Sequence, residues 1–99
     1  MTVARWVEIW LQEYMGDKKY LTVKHYNAQC RTHIVPSLGA VRLADLTTPQ
    51  IQAFYNRLQR EGMAAKSVRN VHGILTKCLS TAVQVGYLRD NPAQRTTLP

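Results

Sequence analysis

The sequence predicts an all-α domain, a compact bundle of four main helices. Three observations carry that reading. Apolar residues recur at three- and four-residue spacing in four separate segments. No stretch makes a convincing strand. The breaks between segments are mostly short, as helix–helix connections usually are, and are marked by Gly, Pro or a capping Thr.

The first helix is expected from about Val3 to Met15, with Thr2 as N-cap. Val3, Trp6, Val7, Trp10 and Tyr14 form its apolar stripe, and Gly16 stops it. Asp17, Lys18, Lys19 and Tyr20 make a short polar connection. The second helix is expected to begin after Thr22. Val23, Tyr26, Cys30 and Ile34 line one side, and Lys24, His25, Ala28, Arg31 and Thr32 the other. Pro36 and Gly39 are expected to end it, with His33 near its terminal carbonyls. The connection from Val35 to Leu46 carries Leu38, Val41, Leu43 and Leu46, which suits an ordered, packed loop.

The third helix starts at Thr47 or Thr48, with Pro49 in its first turn. Ile51, Phe54, Tyr55 and Leu58 face the core, Arg57, Arg60 and Glu61 face away, and Gly62 closes it. The fourth runs from Lys66 to Val85 and stops at Gly86. Its buried stripe is Val68, Val71, Leu75, Cys78, Leu79 and Ala82. Its opposite face carries Lys66, Arg69, Asn70, Gly73 and Lys77. Tyr87 and Leu88 are expected to fold back onto the core, and Asn91-Pro92 to begin an extended exit. Residues 1–92 thus read as one domain and residues 93–99, which have no periodicity, as the start of a linker.

Charge narrows the function. A net charge of +7 on 99 residues favours an anionic partner, nucleic acid first and an acidic membrane surface second. No segment approaches the ~20 apolar residues that span a bilayer, and no secretion signal opens the chain, so a soluble cytoplasmic protein is expected. Cys30 and Cys78 fall on apolar helix faces and read as small buried hydrophobes. His25, His33 and His72 match no common zinc spacing, so no metal is expected, and no cofactor motif is present. Glu8, Glu13, Asp17, Asp45, Glu61 and Asp90 are scattered and form no acid–base pair. No nucleophile motif or glycine-rich phosphate loop exists, and no catalytic residue is assigned.

The second and fourth helices each carry a basic face. Taken alone, either face reads as a solvated helix surface. Together, in a chain this basic, they suit a duplex. Lys24, Arg31, Lys66, Arg69 and Lys77 are the candidate phosphate contacts. Arg69 and Asn70 are candidate base readers. Thr22 and Ser67, near helix starts, offer backbone N–H groups to a phosphate. Gly73 lets a DNA backbone approach closely. Lys18 and Lys19 join the set beside Tyr20, the one aromatic placed to stack on bases.

The order of these signals resembles the core-binding, SAM-like N-terminal domain of tyrosine recombinases, the phage-integrase family. The resemblance is carried by Thr22 and Tyr26, by HIVPSLG (His33 to Gly39), by RLADLTTPQIQAFYNRL (Arg42 to Leu58), by KSVRNVHGIL (Lys66 to Leu75) and by AVQVGYLRDNP (Ala82 to Pro92). Ser67 stands where the family often has threonine, and Leu79 where it often has a larger aromatic. The resemblance implies one half of a clamp around double-stranded core-site DNA, with the second and fourth helices crossing the major groove. It implies a role in site-specific recombination and DNA integration, with other recombinase protomers as partners. The family's chemistry comes from arginines, a lysine, histidines and a nucleophilic tyrosine beyond the Asn-Pro exit. None of the tyrosines here lies in that motif, so residues 1–99 are expected to be non-catalytic alone. The alternative is a helical module that docks to recombination partners.

Overall fold

The computed structural model describes every residue from Met1 to Pro99. It contains α1 (Val3–Glu13), α2 (Tyr20–Gln29), α3 (Val35–Leu38), α4 (Thr48–Arg60) and α5 (Ala65–Gln84). A π-helical turn, Cys30–Ile34, joins α2 to α3, and a 3-10 turn spans Leu43–Asp45. Because α2, the π turn and α3 run on as one rod, the main helices number four. The one β feature is an isolated antiparallel bridge between Thr2 and Arg42. No helix is long and apolar enough to cross a membrane.

Thr2 caps α1 as expected, its hydroxyl accepting from the Arg5 N–H at 3.2 Å. The helix buries Val3, Trp6, Val7, Trp10 and Leu11. It ends at Glu13, not Met15. Tyr14 leaves the helical conformation as the cap and stays 40% exposed, resting its ring on Trp6 with centroids 5.7 Å apart.

The second rod departs from expectation at both ends. It begins at Tyr20, with Lys19 rather than Thr22 as the flanking residue. Tyr20 and Leu21 are 77% and 74% exposed, so no apolar period marks this first turn. Nor does Pro36 stop it. The Val35 N–H bonds the Cys30 carbonyl five residues back, and this register slip puts Pro36 in the first turn of α3, where a missing N–H costs nothing. The rod therefore reaches Leu38, and His33 lies within it rather than at its end.

Thr47 and Gln50 form a reciprocal capping box on α4. Both α4 and α5 end on a left-handed glycine, Gly62 (φ +99°) and Gly86 (φ +93°). Each turn sends the following N–H back five residues, Met63 to the Leu58 carbonyl (3.0 Å) and Tyr87 to that of Ala82 (2.9 Å).

The core gathers around α5, which buries Val68, Val71, Ile74, Leu75, Cys78, Leu79 and Ala82. Two indoles lock α1 across it: Trp6 Nε1 donates to the Cys78 carbonyl at 3.0 Å and Trp10 Nε1 to Thr81 Oγ1 at 3.2 Å. Both cysteines are free and buried. Leu38, Leu43 and Leu46 sink into the same core, so the long connection packs as an ordered loop.

The C-terminal segment follows the surface of the bundle. Asn91 donates to the Thr76 carbonyl and to Ser80 Oγ, both at 2.9 Å, and Ala93 is fully buried. Thr48 Oγ1 donates to the Pro92 carbonyl at 2.7 Å. Gln52 and Thr97 exchange two hydrogen bonds, of 2.7 and 3.1 Å.

Candidate nucleic-acid interface

α2 and α5 pack side by side and leave a furrow along their seam. Three hollows succeed one another in it. The first lies at the start of α5, between Ser67, Met63, Gln29 and His33, with Glu61 also on its wall. The second is lined by Arg69, Asn70, Gly73 and Lys77 of α5 and by His25 and Tyr26 of α2. The third is lined by Lys18 and Asp17 as well as Lys77, with Trp10, Tyr26 and Thr81 among its other walls. Ser67, Arg69, Asn70, Gly73, Lys77 and Lys18 thus meet along one seam.

Lys24 and Arg31 belong to the outer flank of α2. At about 100° per residue, Asn27 and His25 lie on opposite sides of Tyr26. Arg31 leans over Asn27, its Nη2 donating to Oδ1 at 3.4 Å, on the side away from His25. Lys24 shares that flank and is exposed. Lys19 and Lys66 are exposed at the starts of α2 and α5 and line none of the three hollows.

Thr22 and Ser67 hold equivalent places. Each is the third residue of its helix, and the first backbone bonds are made one residue later, by Val23 to Lys19 and by Val68 to Ala64. Their N–H groups stay free for a ligand although neither residue is the cap itself. Gly73 is half-buried in the middle of α5, and a Cβ built there would meet nothing within 4 Å. The fold's own packing does not require glycine at this position.

The electrostatics are one-sided. From Tyr20 to Leu38 and from Ala65 to Gln84 there is no Asp or Glu, while Lys24, Arg31, Lys66, Arg69 and Lys77 all lie there. Only two ion pairs form in the molecule, Arg5–Glu8 at 3.4 Å and Lys18–Asp17 at 3.8 Å. Both are solvent-exposed and contribute little. The five cations of α2, its π turn and α5 therefore pair with no Asp or Glu side chain, and Arg69 Nη1 donates to the Pro99 oxygen at 2.9 Å.

Two residues outside the expected set also line the furrow, His25 and Tyr26. His25 was placed on the exposed face of α2 but not assigned to the site. Tyr26 was assigned to the core, and it is buried, yet its hydroxyl opens on the furrow and accepts from Lys77 Nζ at 3.0 Å. His72 lies elsewhere, half-buried against Tyr55, and burial lowers its pKa.

Comparison with known proteins agrees with this architecture. Residues 2–59 match the profile described as the phage integrase N-terminal SAM-like domain, and the chain belongs to that family. A tyrosine recombinase XerC-like protein of Caldanaerobacter subterraneus subsp. tengcongensis is 29% identical over 94 residues, which cover 93% of this chain and 24% of that protein. The chain spans about a quarter of the length of the curated relatives it matches. An integrase-like domain from Bacillus cereus, solved by NMR in solution, superposes with a TM-score of 0.91 at 26% identity, covering 99% of this chain and 83% of that one. A crystal structure of a lambda integrase dimer bound to a COC′ core site shares the fold, with a TM-score of 0.88 at 24% identity, covering 99% of this chain and 36% of that one.

Proposed function

We propose that residues 1–92 are the core-site DNA-binding module of a tyrosine recombinase, gripping a duplex with α2 and α5 during site-specific recombination and DNA integration. The observation that carries this reading is the set of five cations on two adjacent helical rods that hold no carboxylate. Lys24, Arg31, Lys66, Arg69 and Lys77 neutralise phosphates, with Lys18 and Lys19 at the edge of the same surface. The free N–H groups at Thr22 and Ser67 receive phosphate oxygens. Arg69 and Asn70 reach base edges, and Gly73 gives the DNA backbone room. The core-site DNA bound by the similarly folded lambda integrase supports the choice of partner. Strand cleavage belongs to another part of the recombinase, and other protomers complete the assembly. The module works where its DNA is, in the cytoplasm.

The test is a titration of labelled duplex at several salt concentrations. Five phosphate contacts predict a slope of log K against log [salt] of roughly −4 to −5. Replacing Lys66 and Lys77 together by Ala flattens that slope by about 2 without changing the melting temperature. Binding indifferent to salt refutes the reading.

A further inference from the structure

Lys77 does not extend freely from α5. Its Nζ donates to Tyr26 Oη at 3.0 Å and stands 5.6 Å from the centroid of the same ring. That ring is stacked on Trp10, with centroids 5.7 Å apart and planes 12° from parallel. Trp10 is fixed in turn by Thr81 Oγ1, which donates onward to the Lys77 carbonyl at 3.1 Å. Three helices thus hold one ammonium in place, and the rotamer freedom a lysine ordinarily loses on binding is already restricted. The group that holds it is neutral, so its charge is undiminished. Asp17, the carboxylate on the nearby hollow, pairs with Lys18 instead.

The phenol has a second property. Its oxygen accepts from Lys77, while its own hydrogen has no acceptor in the fold. Tyr26 and Lys77 both line the second and third hollows, so the pair forms the ridge between them. Gly73 leaves the floor of the second hollow open, with Asn70 and Arg69 at its side. One charged and one neutral donor, 3.0 Å apart, line that opening, a spacing suited to two oxygens of a single anionic group.

We propose that Lys77 Nζ and Tyr26 Oη form one composite phosphodiester site on the α2–α5 seam. The ammonium neutralises the phosphate, and the phenol hydrogen donates to a second oxygen of the same group. This rests on the duplex-binding reading and adds to it a residue that periodicity assigns to the core. It makes Tyr26 a ligand donor as well as the group that positions Lys77.

Tyr26→Phe keeps the ring and its stack on Trp10 and deletes only the hydroxyl. Lys77→Met keeps the aliphatic stem over the ring and deletes the charge. Each variant and the double variant are melted, then titrated with a labelled duplex at several salt concentrations. Tyr26→Phe should melt with the wild type and bind roughly 3- to 10-fold more weakly, with an unchanged salt slope. Lys77→Met should bind more weakly and lose about one unit of slope. The double variant should bind little worse than Lys77→Met, because the phenol acts on the phosphate the ammonium holds. Salt-dependent wild-type binding with an unaffected Tyr26→Phe overturns this site alone, as do two losses that multiply independently. Absent or salt-indifferent binding by the wild type overturns the duplex reading and this site together.

Discussion

The Tyr55 hydroxyl and His72 Nδ1 lie 2.8 Å apart, joining α4 to α5. Burial pushes the Tyr55 phenol far above its ordinary range, so it stays neutral and is the natural donor to Nδ1. Burial also lowers His72 from its usual 6.5. A depressed imidazole takes its proton more readily in the unfolded chain. Its contribution is therefore whole above about pH 6.5 and is lost as pH falls through the lower folded value. The melting temperature should drop across that window, and His72→Gln should remove the part of the drop due to this residue. Parallel melting curves for the two proteins from about pH 7.5 to pH 5 check it; an identical pH dependence would assign the acid sensitivity elsewhere.

Gly73 separates stability from function. A mid-helix glycine costs about 0.5–1 kcal/mol relative to alanine, and no neighbour crowds a Cβ at this position. Gly73→Ala should raise the melting temperature by several degrees. On the duplex reading the same methyl group stands where the DNA backbone approaches, so affinity should fall several-fold. Calorimetry beside a binding titration tests both halves, and a variant that is stabilised and binds normally would remove Gly73 from the interface.

Asn91 fastens the C-terminal segment. Its amide nitrogen reaches Thr76 and Ser80, and its Oδ1 accepts from the Ala93 N–H at 2.9 Å. Pro92 restricts Asn91 to an extended backbone, which sets this turn. Asn91→Ala would leave the buried Ala93 N–H without a partner, at a cost of roughly 1–3 kcal/mol. Lower thermal stability and faster amide exchange at Ala93 are expected. Unchanged exchange there would mean that the segment is held by Thr48 and Gln52 instead.

Much of this was legible in the sequence where local chemistry decides structure. Thr2, Thr47 with Pro49, Gly62 and Gly86 mark helix ends that the structure keeps, and the stripe from Val68 to Ala82 is the centre of the core. The second rod differs from expectation at both ends for specific reasons. Its first turn exposes Tyr20 and Leu21 and has no apolar period to detect, so Thr22 looked like the start. A π turn lets the chain pass Pro36, and no local signal announces such a slip. At the candidate site the basic face of α5 could be read from spacing alone. The other wall of the furrow could not, because only packing against α5 reveals which flank of α2, His25 and Tyr26 rather than Lys24, adjoins it.

The two cysteines offer a test of the packing itself. Cys30 lies on the π turn and Cys78 in α5, and both are buried. Burial raises the Cys30 thiol to about 11 despite the nearby Arg31, and it raises Cys78 as well. Reactivity needs a thiolate and access, and neither residue has either. Native protein should therefore resist a maleimide at neutral pH, while denatured protein should take up two equivalents. Labelling measured by mass across a denaturant series should follow global unfolding for both residues. If Cys30 labels well before Cys78, the π turn opens separately from the core, and the rod from α2 to α3 is two units rather than one.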